Sequence, residues 1–153
     1  MRAEKMKNMQ NDELVKALEI MEERFGHDTL ISLATIDNDR PAVRIVNGYY
    51  KNGAFYTITY ALSNKMKQIE TNSTVAICGE WFTAHGVGEN IGHVRDERNK
   101  ELATKLREAF SEWYSNGHVD ESDPNTIILR IRLTDGLLFD HGKRYEIDFN
   151  ARG

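Results

Sequence analysis

The sequence predicts a mainly β (α+β) fold, a small antiparallel β-barrel of about six to eight short strands with helices at its periphery. Two turn signals support this prediction, because Asn38-Asp39 and Asn52-Gly53 separate three consecutive runs of β-forming residues. Strands joined by such tight turns must run antiparallel. More runs of β-forming residues follow in the second half of the chain, and an antiparallel sheet of this length tends to close on itself, which removes its exposed edges.

The N-terminal part of the chain predicts one amphipathic helix. Apolar residues recur there at helical spacing, at Leu14, Leu18, Met21 and Phe25. The helix is expected over 11–24, with Asn11 or Asp12 as its cap and Gly26 at its end.

Three strands and a short helix are expected next. The strands are predicted over 29–37, 41–50 and 55–57, where β-branched and aromatic residues are frequent. The helix is predicted over 64–71, with Ser63 as its N-terminal cap.

The second half of the chain predicts the longest helix, over 96–114, with Asn116-Gly117 as its stop. One face of this helix is apolar and comprises Leu102, Leu106, Phe110 and Trp113. The remaining strands are expected over 74–82, 83–94, 126–134, 137–139 and, as a final edge strand, 145–149.

Length and composition exclude several classes of protein. The 153 residues suit a single domain over 1–153, and the net charge of −4, without basic runs, argues against a nucleic-acid-binding surface. No apolar stretch approaches the ~20 residues that a membrane span needs, and the polar residues 1–10 do not form a signal peptide. We therefore expect a cytoplasmic protein. The single cysteine, Cys78, excludes an internal disulfide, and its apolar neighbours predict that it packs in the core.

An anion site is the main chemical prediction. Arg44 lies in one predicted strand and Thr57 in the next, while Ser63 and Lys65 begin the following helix. A helix N-terminus presents free N–H groups and partial positive charge, so a lysine there is unfavourable unless an anion is bound. Each residue alone has an ordinary interpretation, since strand arginines are often solvated and threonine is a good strand former. Together they indicate a phosphate site.

The order and spacing of these residues resemble the pyridoxamine 5′-phosphate oxidase-like, FMN-binding split-barrel family, over roughly residues 30–87. The resemblance implies that Arg44 binds the FMN phosphate and that Ser63 and Lys65 close on it. It also implies that the backbone of Ile45 and Val46 runs along the isoalloxazine ring.

Four more positions are implied to contact or surround the cofactor: Tyr56, Thr57, Asn64 and Gln68. Two of the family's basic positions differ in this chain. In pyridoxamine phosphate oxidases proper, an arginine stands at the position of Asn64 and a lysine at that of Tyr49. Those oxidases also bind pyridoxal phosphate through Trp and Arg residues of a C-terminal strand, a motif that the last residues of this sequence do not show. This chain is more similar to the short branch of general-stress-type proteins and nitroimidazole-resistance reductases, and true pyridoxamine phosphate oxidase activity is not expected.

The resemblance implies an FMN-dependent oxidoreductase that passes electrons from a reduced nicotinamide donor to a small nitro or quinone acceptor. No catalytic side chain can be identified from one sequence, which suits a flavoprotein because the flavin supplies the redox chemistry. The alternatives are a non-catalytic flavin- or haem-binding protein and a deazaflavin-dependent reductase. The family also implies a homodimer. Four strand aromatics support it, because they exceed what a small barrel needs to fill its core: Tyr49, Tyr50, Trp81 and Phe82.

The histidines do not predict a metal site. His85 and His93 share a strand face, but eight residues of extended chain separate them by ~26 Å. His85 has a possible second role only in the haem alternative, since haem-binding relatives use a histidine in a comparable barrel.

Overall fold

Six strands close into an antiparallel barrel in the computed structural model, which describes residues 2–151. The strands are β1 (Thr29–Asp37), β2 (Arg40–Lys51), β3 (Ala54–Tyr60), β4 (Thr74–Gly79), β5 (Phe82–His93), β6 (Thr126–Asp140) and β7 (Lys143–Asp148). Their order is β3-β2-β1-β4-β5-β6, and β6 pairs back to β3. β7 extends the sheet as an edge strand along the C-terminal part of β6. The predicted fold class is confirmed.

Within residues 2–151, three α-helices surround the barrel: α1 (Arg2–Phe25), α2 (Asn64–Thr71) and α3 (Lys100–Ala109). Short helical turns lie at Glu97–Asn99, Tyr114–His118 and Phe149–Ala151. The C-terminal half of α1 joins the core inside the barrel, where Phe25 packs on Phe55 and Phe82. α2 packs on β1 and β5, and Gly88 of β5 permits this, because a Cβ there would lie 3.0 Å from the side chain of Ile69.

Two-residue turns connect four of the strand pairs. The predicted turns at Asn38-Asp39 and Asn52-Gly53 are both present. Asn52 and Gly53 have φ of 48° and 82°, the left-handed values that a tight hairpin turn requires. His141-Gly142, with φ of 48° and 79°, joins β6 to β7 in the same way, and a turn at Glu80-Trp81, in which only Trp81 has a positive φ, of 52°, joins β4 to β5.

The N-terminal helix is longer than predicted. It begins at Arg2 rather than at Asn11, and Asn11 and Asp12 lie inside it rather than at its cap. Residues 2–10 are exposed, so no apolar periodicity marks them. They are rich in lysine, glutamate, methionine and glutamine, whose helix propensity is high and which continue a helix without burial. Gly26 follows the helix, as predicted.

The predicted long helix over 96–114 is wrong. A short turn over 97–99 precedes α3, which ends at Ala109, and the chain then makes separate turns up to His118. Asn99 is buried at the first break, where its side-chain amide donates to the carbonyl oxygens of Ile91 and His93 at 3.0 and 3.1 Å. The predicted apolar face is nevertheless real, because Leu106 and Phe110 are fully buried in a second core cluster on the outside of the barrel.

The predicted break between strands at 134–137 is also wrong, since β6 is continuous from Thr126 to Asp140. Asp135-Gly136 resembles a turn, but Gly136 is required inside the strand. A Cβ at that position would lie 2.9 Å from the ring of Phe82 and 3.0 Å from that of Phe149. Close packing of the two rings therefore explains why glycine stands at position 136.

Cys78 is exposed, contrary to the predicted core position. In β4 the side chains alternate, so Val75 and Ile77 are buried and Ala76 and Cys78 face outward. In a strand with one buried face, only every second residue of an apolar run is buried, so the run alone predicts too many buried side chains.

The aromatic excess used to predict a dimer is largely absorbed within the chain. Tyr50 and Phe82 are buried in the barrel core, and Tyr49 packs in the cluster beneath α3. Only Trp81, at the β4–β5 turn, is largely exposed.

Candidate functional site

The barrel is split between β2 and β3. The two strands pair only next to their turn, from Tyr49 to Lys51 on one side and from Ala54 to Tyr56 on the other. Beyond that point β2 pairs with β1 and β3 pairs with β6. The strand edges that face the split therefore hold backbone N–H and C=O groups outside the sheet's hydrogen-bond ladder.

A cavity of ≈ 440 Å³ lies at this split. β2 contributes Val46 and Asn47, β3 contributes Thr57, Ile58 and Thr59, α2 contributes Lys65, and the segment after α3 contributes Trp113, Asn116, His118 and Val119. The cavity thus joins parts of the chain that are far apart in sequence.

Arg44 points into the protein from β2, while its neighbours Val43 and Ile45 point outward. Its guanidinium donates to the carbonyl oxygen of Leu33 at 3.1 Å, to Oγ1 of Thr35 at 2.7 Å and to Oε1 of Gln68 at 2.9 Å. Burial lowers the pKa of Arg44, which nonetheless stays charged at neutral pH. Three of its five N–H donors are used by these bonds, which leaves two for a ligand.

Lys65 lies in the first turn of α2 and lines the cavity. Its Nζ donates to Oγ1 of Thr59 at 2.6 Å. Burial lowers the pKa of Lys65, and the positive charge of Arg44 lowers it further. Two like charges therefore lie close enough to repel each other in a partly desolvated position.

Among the described residues, neither cation has an acidic partner. Within residues 2–151, no carboxylate lies within 4.0 Å of the charged group of Arg44 or Lys65, whereas many of the chain's other basic side chains pair with an aspartate or a glutamate. All four hydrogen bonds that these two side chains donate are to neutral groups, namely hydroxyl, amide and carbonyl oxygens. The site is thus suited to an anion that supplies the missing negative charge.

The start of α2 is arranged as predicted. Ser63 is the N-cap, in an extended conformation, and its hydroxyl accepts from the backbone N–H of Met66 at 3.4 Å. Gln68, one turn into the helix, accepts from Arg44 and from the hydroxyl of Thr35, the latter at 2.5 Å. The sequence-predicted residues Arg44, Lys65 and Gln68 are therefore brought together.

Other predicted positions divide between the cavity and its surroundings. Val46 and the buried Thr57 line the cavity. Tyr56 lies on the opposite face of β3, in the cluster beneath α3. The side chains of Ile45 and Asn64 are exposed outside the cavity.

Several residues of the site were not predicted from the sequence. Thr59 follows Thr57 by two residues in one strand, and strand alternation alone places both on the same face. Thr35, which contacts both Arg44 and Gln68, has no such signal. Trp113 was assigned to the apolar face of a helix, yet it also lines the cavity.

The histidines lie in different places. His118 lines the cavity at the split. His85 lies on the outer face of β5, where its Nδ1 is 2.9 Å from Oδ1 of Asp135, and it lines a separate surface groove. Among the described residues, no three or more His, Cys, Asp or Glu side chains are grouped so as to hold a metal ion. Nor does any helix in that range combine the length and apolar character needed to cross a membrane.

The chain is similar in sequence to one curated protein and in fold to several solved structures. The curated General stress protein 26 of Bacillus subtilis (strain 168) is 27% identical over 139 residues, which cover 88% of this chain and 94% of that protein. A solved structure of a NimC/NimA family protein from Clostridium acetobutylicum matches with a TM-score of 0.61 at 22% identity, over 88% of this chain and 93% of the other.

Two further solved structures share the fold and differ in what they bind. A FAD-binding protein from Mesorhizobium loti matches with a TM-score of 0.58 at 14% identity, over 71% of this chain and 83% of the other. A heme binding protein from Mycobacterium smegmatis matches with a TM-score of 0.62 at 13% identity, over 80% of this chain and 54% of the other.

The family itself is identified by sequence. A family model described as pyridoxamine 5′-phosphate oxidase matches residues 17–139, which include the split, the cavity and both unpaired cations. The resemblance found in the motif around Arg44 is therefore confirmed over most of the chain. This chain belongs to the pyridoxamine 5′-phosphate oxidase family.

Proposed function

We propose that the chain binds FMN and acts as an FMN-dependent oxidoreductase. The observation that supports this most strongly is that Arg44 and Lys65, the latter lining the cavity, have no carboxylate partner within residues 2–151. A phosphate monoester supplies up to two negative charges and three acceptor oxygens. It would therefore balance both cations.

The residues present fit the phosphate. Arg44 has two N–H donors left, and the ammonium of Lys65 has two more beyond its bond to Thr59. The N-terminus of α2 adds its partial positive charge. This phosphate site has fewer basic residues than that of pyridoxamine phosphate oxidases proper. Two cations and the N-terminus of α2 must therefore hold the phosphate.

The rest of the cavity fits an aromatic ring with polar edges. The edges of β2 and β3 at the split present backbone donors and acceptors, and Val46 and Trp113 supply apolar surface. These groups orient a planar heterocycle and exclude water from one side of it. When bound, FMN supplies two-electron redox chemistry, and this chain's residues supply binding and orientation.

We propose a nicotinamide donor and a small nitro or quinone acceptor as substrates. In the net reaction with a quinone, the dihydronicotinamide loses a hydride, and the quinone takes up that hydride equivalent together with one proton from solvent. The likeness to a NimC/NimA family protein and to General stress protein 26 supports a small-molecule reductase of the short branch. No side chain is assigned a proton-transfer role.

A homodimer is part of the proposal. Val43 and Ile45 flank Arg44 on β2 and are 70% and 68% exposed, and Leu30 on the neighbouring strand is 65% exposed. An exposed apolar patch next to the ligand site favours cover by a second copy, which would close the split from outside. Light scattering is expected to give a dimer mass, and Ile45→Glu is expected to shift it to the monomer. A monomeric mass for the parent with flavin bound would contradict the dimer.

A visible spectrum and a turnover assay test the proposed function. Protein reconstituted with FMN and freed of excess ligand is expected to show the two visible bands of oxidised flavin, and a nicotinamide donor should bleach them. A nitro or quinone acceptor should then restore them with multiple turnovers. Retained flavin without turnover would favour a non-catalytic flavin-binding protein. A single intense haem band in the spectrum of the protein as purified would favour haem binding, and binding of deazaflavin in preference to FMN would favour the third alternative.

A further inference from the structure

Asp28 lies in the short connection between α1 and β1, outside the cavity, and joins two of its walls. Its Oδ2 accepts from the indole Nε1–H of Trp113 at 2.8 Å. Its Oδ1 accepts from the side-chain amide of Asn47 at 2.9 Å. Asn47 and Trp113 both line the cavity at the split. One carboxylate therefore fixes a residue of β2 and a residue of the segment after α3.

Residues 113–121 form the segment after α3, and its far end, at Glu121, is also held by side-chain hydrogen bonds. The hydroxyl of Tyr114 donates to Oε2 of Glu121, and Arg107 donates to the same carboxylate through Nε at 2.8 Å. The cavity-lining residues Asn116 and His118 lie between these two attachments. Trp113 also packs against Phe110, with ring centroids 5.0 Å apart. The segment is thus a wall with two fixed ends.

We propose that Asp28 is a positioning residue that holds the Trp113 ring as the aromatic face of the cavity, against which a planar heterocycle packs. The part that concerns the ligand rests on the proposed flavin function. Asp28 touches no ligand in this scheme and acts through Trp113 and, on β2, through Asn47.

The chemistry of the carboxylate explains why aspartate is needed. Both contacts are hydrogen bonds from neutral N–H donors to an ionised acceptor, and such bonds are stronger than neutral ones. An asparagine at this position has one acceptor oxygen and one NH₂ group. It would satisfy one of the two donors and place N–H against N–H at the other.

The first experiment follows the indole without any ligand. Trp81 and Trp113 are the two tryptophans of the chain, so Trp81→Phe leaves Trp113 as the sole tryptophan emitter. In this background Asp28→Asn is expected to shift the emission maximum and to increase quenching by acrylamide. Asp39→Asn, the same chemical change in the exposed β1–β2 turn, is the matched control and should change neither. Unchanged emission in Asp28→Asn would overturn the positioning role.

The second experiment measures binding in the full chain. Asp28→Asn is expected to weaken FMN about tenfold, the loss typical of a hydrogen bond to a charged group. In a Trp113→Phe background the same change should alter the affinity by less than about twofold, because residues that act as one unit are not additive. A tenfold loss that persists in Trp113→Phe would overturn the proposed action through Trp113, as would an unchanged affinity in Asp28→Asn.

The two readouts separate this inference from the proposed function. If the parent protein fails to bind FMN, the proposed function fails, and the ligand-facing part of the inference fails with it. The Trp113 emission then still decides whether Asp28 holds the indole. If the parent binds FMN and Asp28→Asn changes neither readout, the inference alone fails.

Discussion

Two pairs of basic side chains in this barrel differ in one respect. Arg130 and Arg132 of β6 both donate to the carboxylate of Glu89 on β5, at distances down to 2.5 and 2.8 Å. Arg44 and Lys65 at the split donate to neutral oxygens and have no carboxylate within reach in the described residues. The first group contains its own anion, and the second lacks one.

The pKa shifts show the consequence of this difference. Burial raises the pKa of Glu89, but hydrogen bonds from Arg130 and Arg132 outweigh it, and the net shift is downward. At the split, burial and the charge of Arg44 both lower the pKa of Lys65. The surroundings of Glu89 therefore stabilise its charged form as they stand, whereas those of Lys65 destabilise its charged form, an effect that a bound anion would offset. We infer that the first pair stabilises the barrel and the second binds a ligand.

The largest expected effect is that of Arg44→Ala. FMN affinity should fall tenfold or more, because a charge-assisted bond to phosphate contributes about 1.5–3 kcal/mol. The free energy of unfolding should also fall, since Thr35, Gln68 and the Leu33 carbonyl lose their donor. Flavin fluorescence titration and urea unfolding measure the two changes. An unchanged FMN affinity would show that the phosphate binds elsewhere.

Lys65→Met should separate binding from stability. FMN affinity is expected to fall about tenfold, while the free energy of unfolding stays the same or increases, because a desolvated charge near Arg44 and the helix N-terminus is removed. Lys67→Met, an exposed position in the same helix, is the matched control and should leave affinity unchanged. A marked loss of stability in Lys65→Met would mean that Lys65 has a structural role.

The pH dependence of binding follows from the Lys65 ammonium. Affinity for FMN should rise up to about pH 7, as the phosphate loses its second proton near pH 6. It should fall severalfold at high pH, starting below 10.5, because the lowered pKa of Lys65 means that its charge is lost early. Lys65→Met should keep the low-pH limb and lose the part of the high-pH limb that Lys65 causes. Identical high-pH limbs in parent and variant would contradict this assignment.

The smallest effect on binding is expected for Arg130→Met. The free energy of unfolding should fall by about 1 kcal/mol, because the half-buried carboxylate of Glu89 loses one of its two partners. FMN affinity should stay within about twofold of the parent. A tenfold loss of affinity would remove the distinction between the two pairs of cations.

Local chemistry explains how much of the fold was predictable. β1 and α2 have the predicted bounds, because hairpin turns and the Ser63 cap are encoded by neighbouring residues. The exposed start of α1 and the segment after α3 were not predicted, since the former has no apolar pattern and the latter depends on distant partners such as Asp28.

The site divides in the same way. Strand alternation and the start of the helix predicted that Arg44 and Lys65 share one site, and the family resemblance implied that Gln68 belongs to it. Thr35 and Trp113 reach the site through contacts between elements far apart in sequence. Periodicity within a strand or helix contains no information on such contacts.

Parallel titration with FMN and riboflavin tests the central claim most directly, because the two ligands differ only in the phosphate. The parent is expected to bind FMN at least about tenfold more tightly than riboflavin, and FMN more tightly than FAD. In Lys65→Met the preference for FMN over riboflavin should shrink, with riboflavin affinity unchanged. Equal affinity of the parent for FMN and riboflavin would contradict a phosphate site at Arg44 and Lys65.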